Sequence, residues 1–173
     1  MNTLFSHVCV VTMDERMSVW TDAFVGVTDG KISYLSKHAP EEKPDQIIDA
    51  TGMVLMPGLI NCHTHLPMQL LRGYADDLKL QEWLNDYIFP REDRLDGRCV
   101  RAATTLAVAE CLKFGVTSVS DMYYFCDDIC DVIAKSGMKA NISRGTSMFL
   151  GDDFDFEKFP ACQELVALKE KWH

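Results

Sequence analysis

The chain has 173 residues, 47% of them hydrophobic and 25% charged, a composition typical of a folded globular protein. Its formal net charge of -9 at pH 7 argues against nucleic-acid polymers as partners, because an acidic chain repels phosphate backbones. The seven cysteines include no C-x-x-C pair, and the chain shows neither signal-peptide features nor an apolar run of about 18 residues. We therefore expect a cytoplasmic protein with reduced cysteines and no membrane association.

The first third of the chain is predicted to be rich in β-structure. Asp29 and Gly30 separate two segments of strand character and predict a two-residue hairpin, because a type I′ turn needs positive φ at both positions. We therefore assign residues 1–56 to one β-rich unit. Its predicted strands are 4–12, 23–28, 31–36 and 47–56.

Strands and helices alternate in the remainder, residues 57–173. An apolar stripe with helical spacing marks 97–114, and Gly115 and Gly137 follow two predicted helices at the positions of capping glycines. This alternation predicts an α/β domain whose parallel strands are joined by right-handed crossovers. The predicted strands are 58–63, 116–122 and 138–143, and the predicted helices are 79–89, 97–114, 126–136 and 160–172.

The strongest chemical signal is the sequence PGLINCHTH at residues 57–65. His63 and His65 share one face of a strand, about 6.6 Å apart along it, whereas Cys62 points to the opposite face and is not assigned as a ligand. Two ordinary histidines at a strand end are the alternative interpretation. The pair lies at the carboxyl end of an apolar strand, where α/β proteins place their sites, and this position favours a shared divalent metal.

The run PGLINCHTHLPMQLLRGYADDLKLQEWL, followed by IFPRED, resembles the amidohydrolase superfamily, and within it most closely the methylthioadenosine/S-adenosylhomocysteine deaminases. The similarity extends to TSVSDMY and to the SRG after the third barrel strand. The resemblance implies a (β/α)8 barrel of the TIM type, with a small β-sandwich built from both termini. Residues 1–56 would then be the N-terminal part of the sandwich, and residues 57–173 about three βα units of an incomplete barrel.

The resemblance also implies roles for individual side chains. His63 and His65 would bind the metal. Glu92, in the P-x-E-D motif, would contact the nucleoside, since a carboxylate accepts hydrogen bonds from two ribose hydroxyls; the alternative is a solvated helix carboxylate. Arg144 would help to hold the substrate tail. Asp121, at a strand end, would either support the site indirectly or cap a helix.

The implied reaction is hydrolytic deamination of a small nucleoside such as 5-methylthioadenosine, with water attacking C6 of the adenine and ammonia leaving. Zinc is the expected metal because neutral imidazoles suit it, although iron or manganese would fit the same ligands. One departure from the family concerns the substrate tail. Residues 146–158 contain four acidic residues and only one basic residue, Lys158, which weakens the case for the carboxylate-bearing S-adenosylhomocysteine.

A second departure is that the family's remaining metal ligands and proton shuttles have no counterpart in these residues, so no catalytic residue beyond the two histidines is assigned. We expect the chain to be the N-terminal part of a full enzyme. The alternatives are a catalytically inactive truncated fragment, a fragment that needs a partner chain, and a related guanine, cytosine or triazine amidohydrolase. The 173 residues alone are expected to hold metal weakly, to show negligible activity and to aggregate or form oligomers.

Overall fold

The computed structural model describes residues 1–146 and 153–173, which form two compact units, Met1–Pro57 and Gly58–His173. The assignment of the first to a β-sandwich and of the second to a barrel stays a prediction.

The N-terminal unit is a single sheet with β1 at its centre. β2 is antiparallel to both β1 and β3, while β4 and β5 run parallel to β1 along its other side. A small apolar core is formed by Val8, Val10, Ala23, Val25 and Ala50. The strands are β1 (Thr3–Val11), β2 (Val19–Thr28), β3 (Lys31–Ser36), β4 (Gln46–Asp49) and β5 (Val54–Leu55).

Two turns decide how this sheet is divided. Asp29 and Gly30 have φ values of 50° and 74°, which confirms the predicted positive-φ hairpin between β2 and β3. The prediction of one strand over 47–56 is wrong, because a turn at Thr51 and Gly52 interrupts it. Gly52 has a φ of 78°, in the left-handed region, so the chain cannot continue as an extended strand at that point.

The C-terminal unit alternates strands and helices as predicted. Its strands are β6 (Leu59–Thr64), β7 (Val116–Tyr123) and β8 (Lys139–Arg144), and a 3-10 helix, Leu66–Leu71, follows β6. The helices are α1 (Leu80–Glu82), a π-helical stretch (Trp83–Ile88) that joins it to α2 (Phe89–Glu92), α3 (Gly97–Lys113), α4 (Cys126–Ser136) and α5 (Pro160–Trp172).

The π-helical stretch is the main local departure from the expected helix over 79–89. The N–H of Phe89 donates to the carbonyl of Leu84, five residues earlier. Pro90 comes next; it has no N–H, and its ring would clash with the carbonyl four residues before it in a regular α-helix. The wider turn accommodates this proline and lets the helix continue to Glu92.

The three strands lie in the order β6-β7-β8 and are all parallel, with Thr64 paired to Asp121 and Tyr123 paired to Arg144. Their carboxyl ends therefore lie at one edge of the sheet. Gly58 allows β6 to approach β7 closely, because a Cβ at that position would lie 2.1 Å from Thr117 Oγ1. This close approach explains why a glycine is needed at position 58 of the motif.

The core of this unit lies between the sheet and α3 and α4, and β7 is its central strand. β6, by contrast, is largely exposed, with Ile60 67% accessible. The buried core residues are Leu66, Val100, Ala107, Val108, Val119, Tyr123, Ile129, Ile133 and Met138. No helix in the described parts of the chain is long and apolar enough to cross a membrane.

Candidate functional site

The two motif histidines lie side by side at the carboxyl end of β6. Their ring centroids are 5.1 Å apart, with the ring planes inclined at 79°. His63 is exposed and His65 is half-buried. The two-residue period of a strand thus brings both imidazoles to one side, as the sequence predicted.

His65 is held in a defined orientation. Its Nδ1 lies 2.6 Å from the carbonyl oxygen of Met122, at the end of the neighbouring strand. A carbonyl only accepts hydrogen bonds, so Nδ1 carries a proton and Nε2 is the nitrogen that could bind a metal. A hydrogen bond of this kind to the other ring nitrogen is the usual support of a metal-binding histidine.

Asp121 supports the same segment from β7. Its Oδ1 accepts hydrogen bonds from Thr64 Oγ1 and from the N–H of Leu66, each at 2.7 Å. Asp121 therefore holds the residues on both sides of His65 in place. The side chain is buried, and burial raises the pKa of this carboxyl above its usual range. Asp121 does not cap the helix that follows it, since Phe125 occupies that position.

Glu92 lies at the end of α2 and reaches towards the same edge of the sheet. The Tyr123 hydroxyl donates a hydrogen bond to Glu92 Oε1 at 2.6 Å. The Tyr123 ring is 4% exposed, and burial together with the nearby carboxylate raises the pKa of its hydroxyl. Tyr123 therefore stays protonated and acts as the donor in this pair.

Arg144 ends β8 and is already engaged by its own chain. Its Nε donates to Glu164 Oε2 at 2.6 Å, and an Nη donates to the carbonyl of Gly145 at 2.5 Å. Its guanidinium also lies over the Tyr124 ring, 4.6 Å from the centroid. The side chain is 17% exposed, so little of its hydrogen-bonding capacity faces solvent.

A cavity of about 580 Å³ joins these groups. His65, Glu92 and Arg144 all line it, together with Tyr123, Tyr124 and apolar side chains such as Trp83 and Phe159. His63 is not among its described lining residues. A larger neighbouring cavity, of about 930 Å³, shares Glu92 and Arg144 but contains neither histidine, so we assign the site to the smaller one.

The residues that sequence reasoning overlooked are Tyr123 and Glu164, the partners of Glu92 and Arg144. Tyr123 could have been found from its place at the carboxyl end of a predicted strand, the position that also singled out Asp121 and Arg144. Nothing local points to Glu164, an ordinary exposed helix residue.

The arrangement suits part of a metal site. Two imidazoles close together, one of them oriented through Nδ1, are suitable zinc ligands. In the described residues no group of three or more His, Cys, Asp or Glu side chains is close enough to hold a metal ion. Catalytic zinc usually has three protein ligands, so these residues fit as two members of a larger set.

A parallel α/β sheet with an H-x-H pair at its carboxyl edge indicates an α/β enzyme of the metal-dependent class. Comparison with known proteins shows the family. The Amidohydrolase family matches residues 54–167. The chain belongs to this family, whose members include deaminase-type hydrolases.

Individual relatives are similar over most of the chain. It is 41% identical over 142 residues to the 5'-deoxyadenosine deaminase of Methanosarcina acetivorans, covering 82% of this chain and 33% of that protein. It is 39% identical over 147 residues to the 5-methylthioadenosine/S-adenosylhomocysteine deaminase of Pelotomaculum thermopropionicum, covering 83% and 34%. The chain therefore spans about a third of the length of these relatives.

A solved structure has the same fold. The adenosine deaminase from Xanthomonas campestris, whose crystal structure contains bound zinc, superposes with a TM-score of 0.74 at 36% identity. The match covers 80% of this chain and 33% of that one.

Proposed function

We propose that this chain supplies the first part of a metal-dependent deaminase that converts the C6 amine of an adenine nucleoside, such as 5-methylthioadenosine, to an oxo group and releases ammonia. The observation that carries the proposal is that His65, oriented through its Nδ1, and Glu92 line one cavity. The deaminase names of the relatives support the same reaction class.

The metal we propose is zinc, held by His63, His65 and further ligands from outside the described residues. The zinc in the Xanthomonas relative supports this choice, as does the pair of adjacent imidazoles. When bound, such a metal supplies a water nucleophile at neutral pH by lowering the pKa of water. Iron or manganese would accept the same donors.

The chain's own residues bind and orient the nucleoside. Glu92 accepts hydrogen bonds from the ribose hydroxyls, because one carboxylate has several lone pairs and, in the described part of the chain, Tyr123 engages one of its oxygens. Apolar side chains along the cavity, including Trp83 and Phe159, exclude water from the base. Met122 and Asp121 fix the segment that carries His65, so the orientation of this imidazole is established before the substrate binds.

The charges near the cavity favour a neutral group at the 5′ position. Arg144 is paired with Glu164, and Lys158 is paired with Asp155 at 2.7 Å. An incoming carboxylate would have to share the Arg144 guanidinium with Glu164, which already balances its charge. We therefore propose 5-methylthioadenosine or 5'-deoxyadenosine as better substrates than S-adenosylhomocysteine.

The incomplete (β/α)8 barrel belongs to the same proposal. Relatives about two and a half times as long as this chain, and the exposed apolar face of β6 around Ile60, support further polypeptide that completes the barrel. That polypeptide is either continuous with these residues or a partner chain. It would also supply the remaining metal ligands and the groups that move protons.

The test is a substrate panel on the chain expressed together with the coding sequence adjoining it in the genome, called the full-length form below. The panel contains 5-methylthioadenosine, 5'-deoxyadenosine, S-adenosylhomocysteine, guanine, cytosine and a chlorotriazine, with ammonia or chloride release as the readout. We expect the two nucleosides with neutral 5′ groups to react fastest. Preference for a substrate without ribose would refute the nucleoside proposal, and turnover of none would favour the inactive alternative.

A further inference from the structure

We propose that Tyr123 is the positioning residue of this site: its buried hydroxyl fixes the Glu92 carboxylate in the rotamer that receives the ribose hydroxyls. The inference rests on the proposed function and deepens it. In this proposal the hydrogen bond from Tyr123 orients the Glu92 carboxylate, which is the group that recognises the sugar.

Glu92 needs such support because little else in the described structure restrains it. It is the last residue of α2, a four-residue helix that follows the π-helical stretch, and its side chain is half-buried. A glutamate side chain has three rotatable bonds, and ordering them costs conformational entropy whenever a ligand is bound. A carboxylate that is already oriented avoids part of that cost at the moment of binding.

Tyr123 is well placed to provide the restraint. Tyr123 is buried in the same core cluster as Val100 and Ile129, which restrains its ring and therefore the position of its hydroxyl. A phenol that donates to a carboxylate makes a charge-assisted bond, stronger than one between neutral groups. The bond also joins elements that are 31 residues apart in the chain, tying the end of α2 to the end of β7.

The contact leaves Glu92 able to bind its ligand. Tyr123 uses one lone pair of Oε1, and within residues 1–146 and 153–173 no other side chain or N–H is hydrogen-bonded to the rest of the carboxylate. Two neighbouring hydroxyls on a ribose match that remaining capacity. Tyr123 itself need not touch the substrate sugar, so its effect on binding is expected to pass through Glu92.

The experiment compares two substrates across four proteins. The full-length form is prepared as wild type, Tyr123→Phe, Glu92→Gln and the double variant, and each is assayed with 5-methylthioadenosine and its 2′,3′-dideoxy analogue. Tyr123→Phe is expected to raise KM for methylthioadenosine about tenfold, the scale of one lost hydrogen bond to a charged group, and to change kcat by less than about twofold. KM for the dideoxy analogue should not change, and the double variant should match Glu92→Gln alone.

The outcomes distinguish failure of the ribose-binding role of Glu92 from failure of the positioning role of Tyr123. If Glu92→Gln affects both substrates equally, the ribose role of Glu92 fails, and the positioning role fails with it. If Glu92→Gln discriminates between the substrates but Tyr123→Phe raises both KM values alike, or adds its full effect to Glu92→Gln, the nucleoside proposal stands and the positioning role is refuted.

A matched control addresses folding. Tyr34→Phe removes one tyrosine hydroxyl hydrogen bond, donated to the carbonyl of His38 at 2.8 Å in the N-terminal unit, and should leave both KM values unchanged. Should Tyr123→Phe fail to fold, 3-fluorotyrosine at position 123 keeps the ring and the hydroxyl but alters the donor strength. The positioning role then requires a changed KM for methylthioadenosine only, and equal changes for both substrates would refute it.

Discussion

Replacing Asp121 with alanine tests whether the segment around His65 is held by β7. The carboxylate accepts two hydrogen bonds at 2.7 Å, from Thr64 Oγ1 and the Leu66 N–H, and the bond to Leu66 is buried. The variant removes both bonds at once. It also leaves a main-chain N–H without its partner at the first residue of the 3-10 helix.

The expected loss of stability follows from these contacts. Each hydrogen bond to a charged group contributes about 1.5–3 kcal/mol, and an unsatisfied buried N–H costs a similar amount. Burying the carboxylate is itself unfavourable, as its raised pKa indicates, and among the described residues Oδ2 has no hydrogen-bond partner. Removing the carboxylate therefore recovers part of the loss, and we expect Asp121→Ala to lower the free energy of unfolding by about 2–3 kcal/mol.

The assay is urea denaturation of the 173-residue chain, followed by far-UV circular dichroism. Asp127→Ala is the matched control in the same unit, because Asp127 also accepts two hydrogen bonds, from Lys171 Nζ and Trp172 Nε1, but is exposed. It should change stability far less. A loss below about 1 kcal/mol in Asp121→Ala, or equal losses in the two variants, would show that Asp121 does not hold the segment.

Three further predictions concern the second unit. The Arg72 guanidinium and the Gln69 amide lower the pKa of Glu110 to about 2, so the stabilisation they provide is complete above pH 4.5 and is lost as pH falls towards 2. The difference in unfolding free energy between wild type and Glu110→Gln should shrink over that interval, and a constant difference would contradict the assignment. Gly58→Ala should destabilise the chain by about 1–3 kcal/mol in urea through its clash with Thr117, and Thr117→Ala should partly restore stability; no restoration would rule out the clash. The 173-residue chain loaded with zinc should release negligible ammonia from 5-methylthioadenosine. A monomeric protein that binds zinc tightly and turns over near 1 s⁻¹, about the lower end for enzymes, would refute this prediction.

Local signals predicted most of the secondary structure. Capping glycines and apolar periodicity placed α3 and α4 within about a residue of their observed ends. Gly115 and Gly137 adopt positive φ, which ends each helix. The break at Gly52 and the π-helical stretch before Pro90 were missed. In both cases one residue changes the backbone inside a segment that the sequence predicts as a single element.

The candidate site was predictable only in part. The spacing of His63 and His65 was enough to place their rings together, because a strand repeats every two residues. The partners of Glu92 and Arg144 were not, since Tyr123 lies 31 residues from Glu92, and Glu164 lies 20 residues from Arg144. Such contacts depend on how elements pack, and the pattern of neither segment contains that information.

We propose that His65 belongs to the metal site of a nucleoside deaminase. The most direct measurement is zinc content together with ammonia release from 5-methylthioadenosine, for the full-length form and its His65→Ala variant. We predict one zinc per chain and turnover in the wild type, with loss of zinc and a fall in activity of at least about 1,000-fold in the variant, since several kcal/mol of transition-state stabilisation depends on the metal. A His65→Ala protein that keeps both its zinc and its deaminase activity would contradict the account.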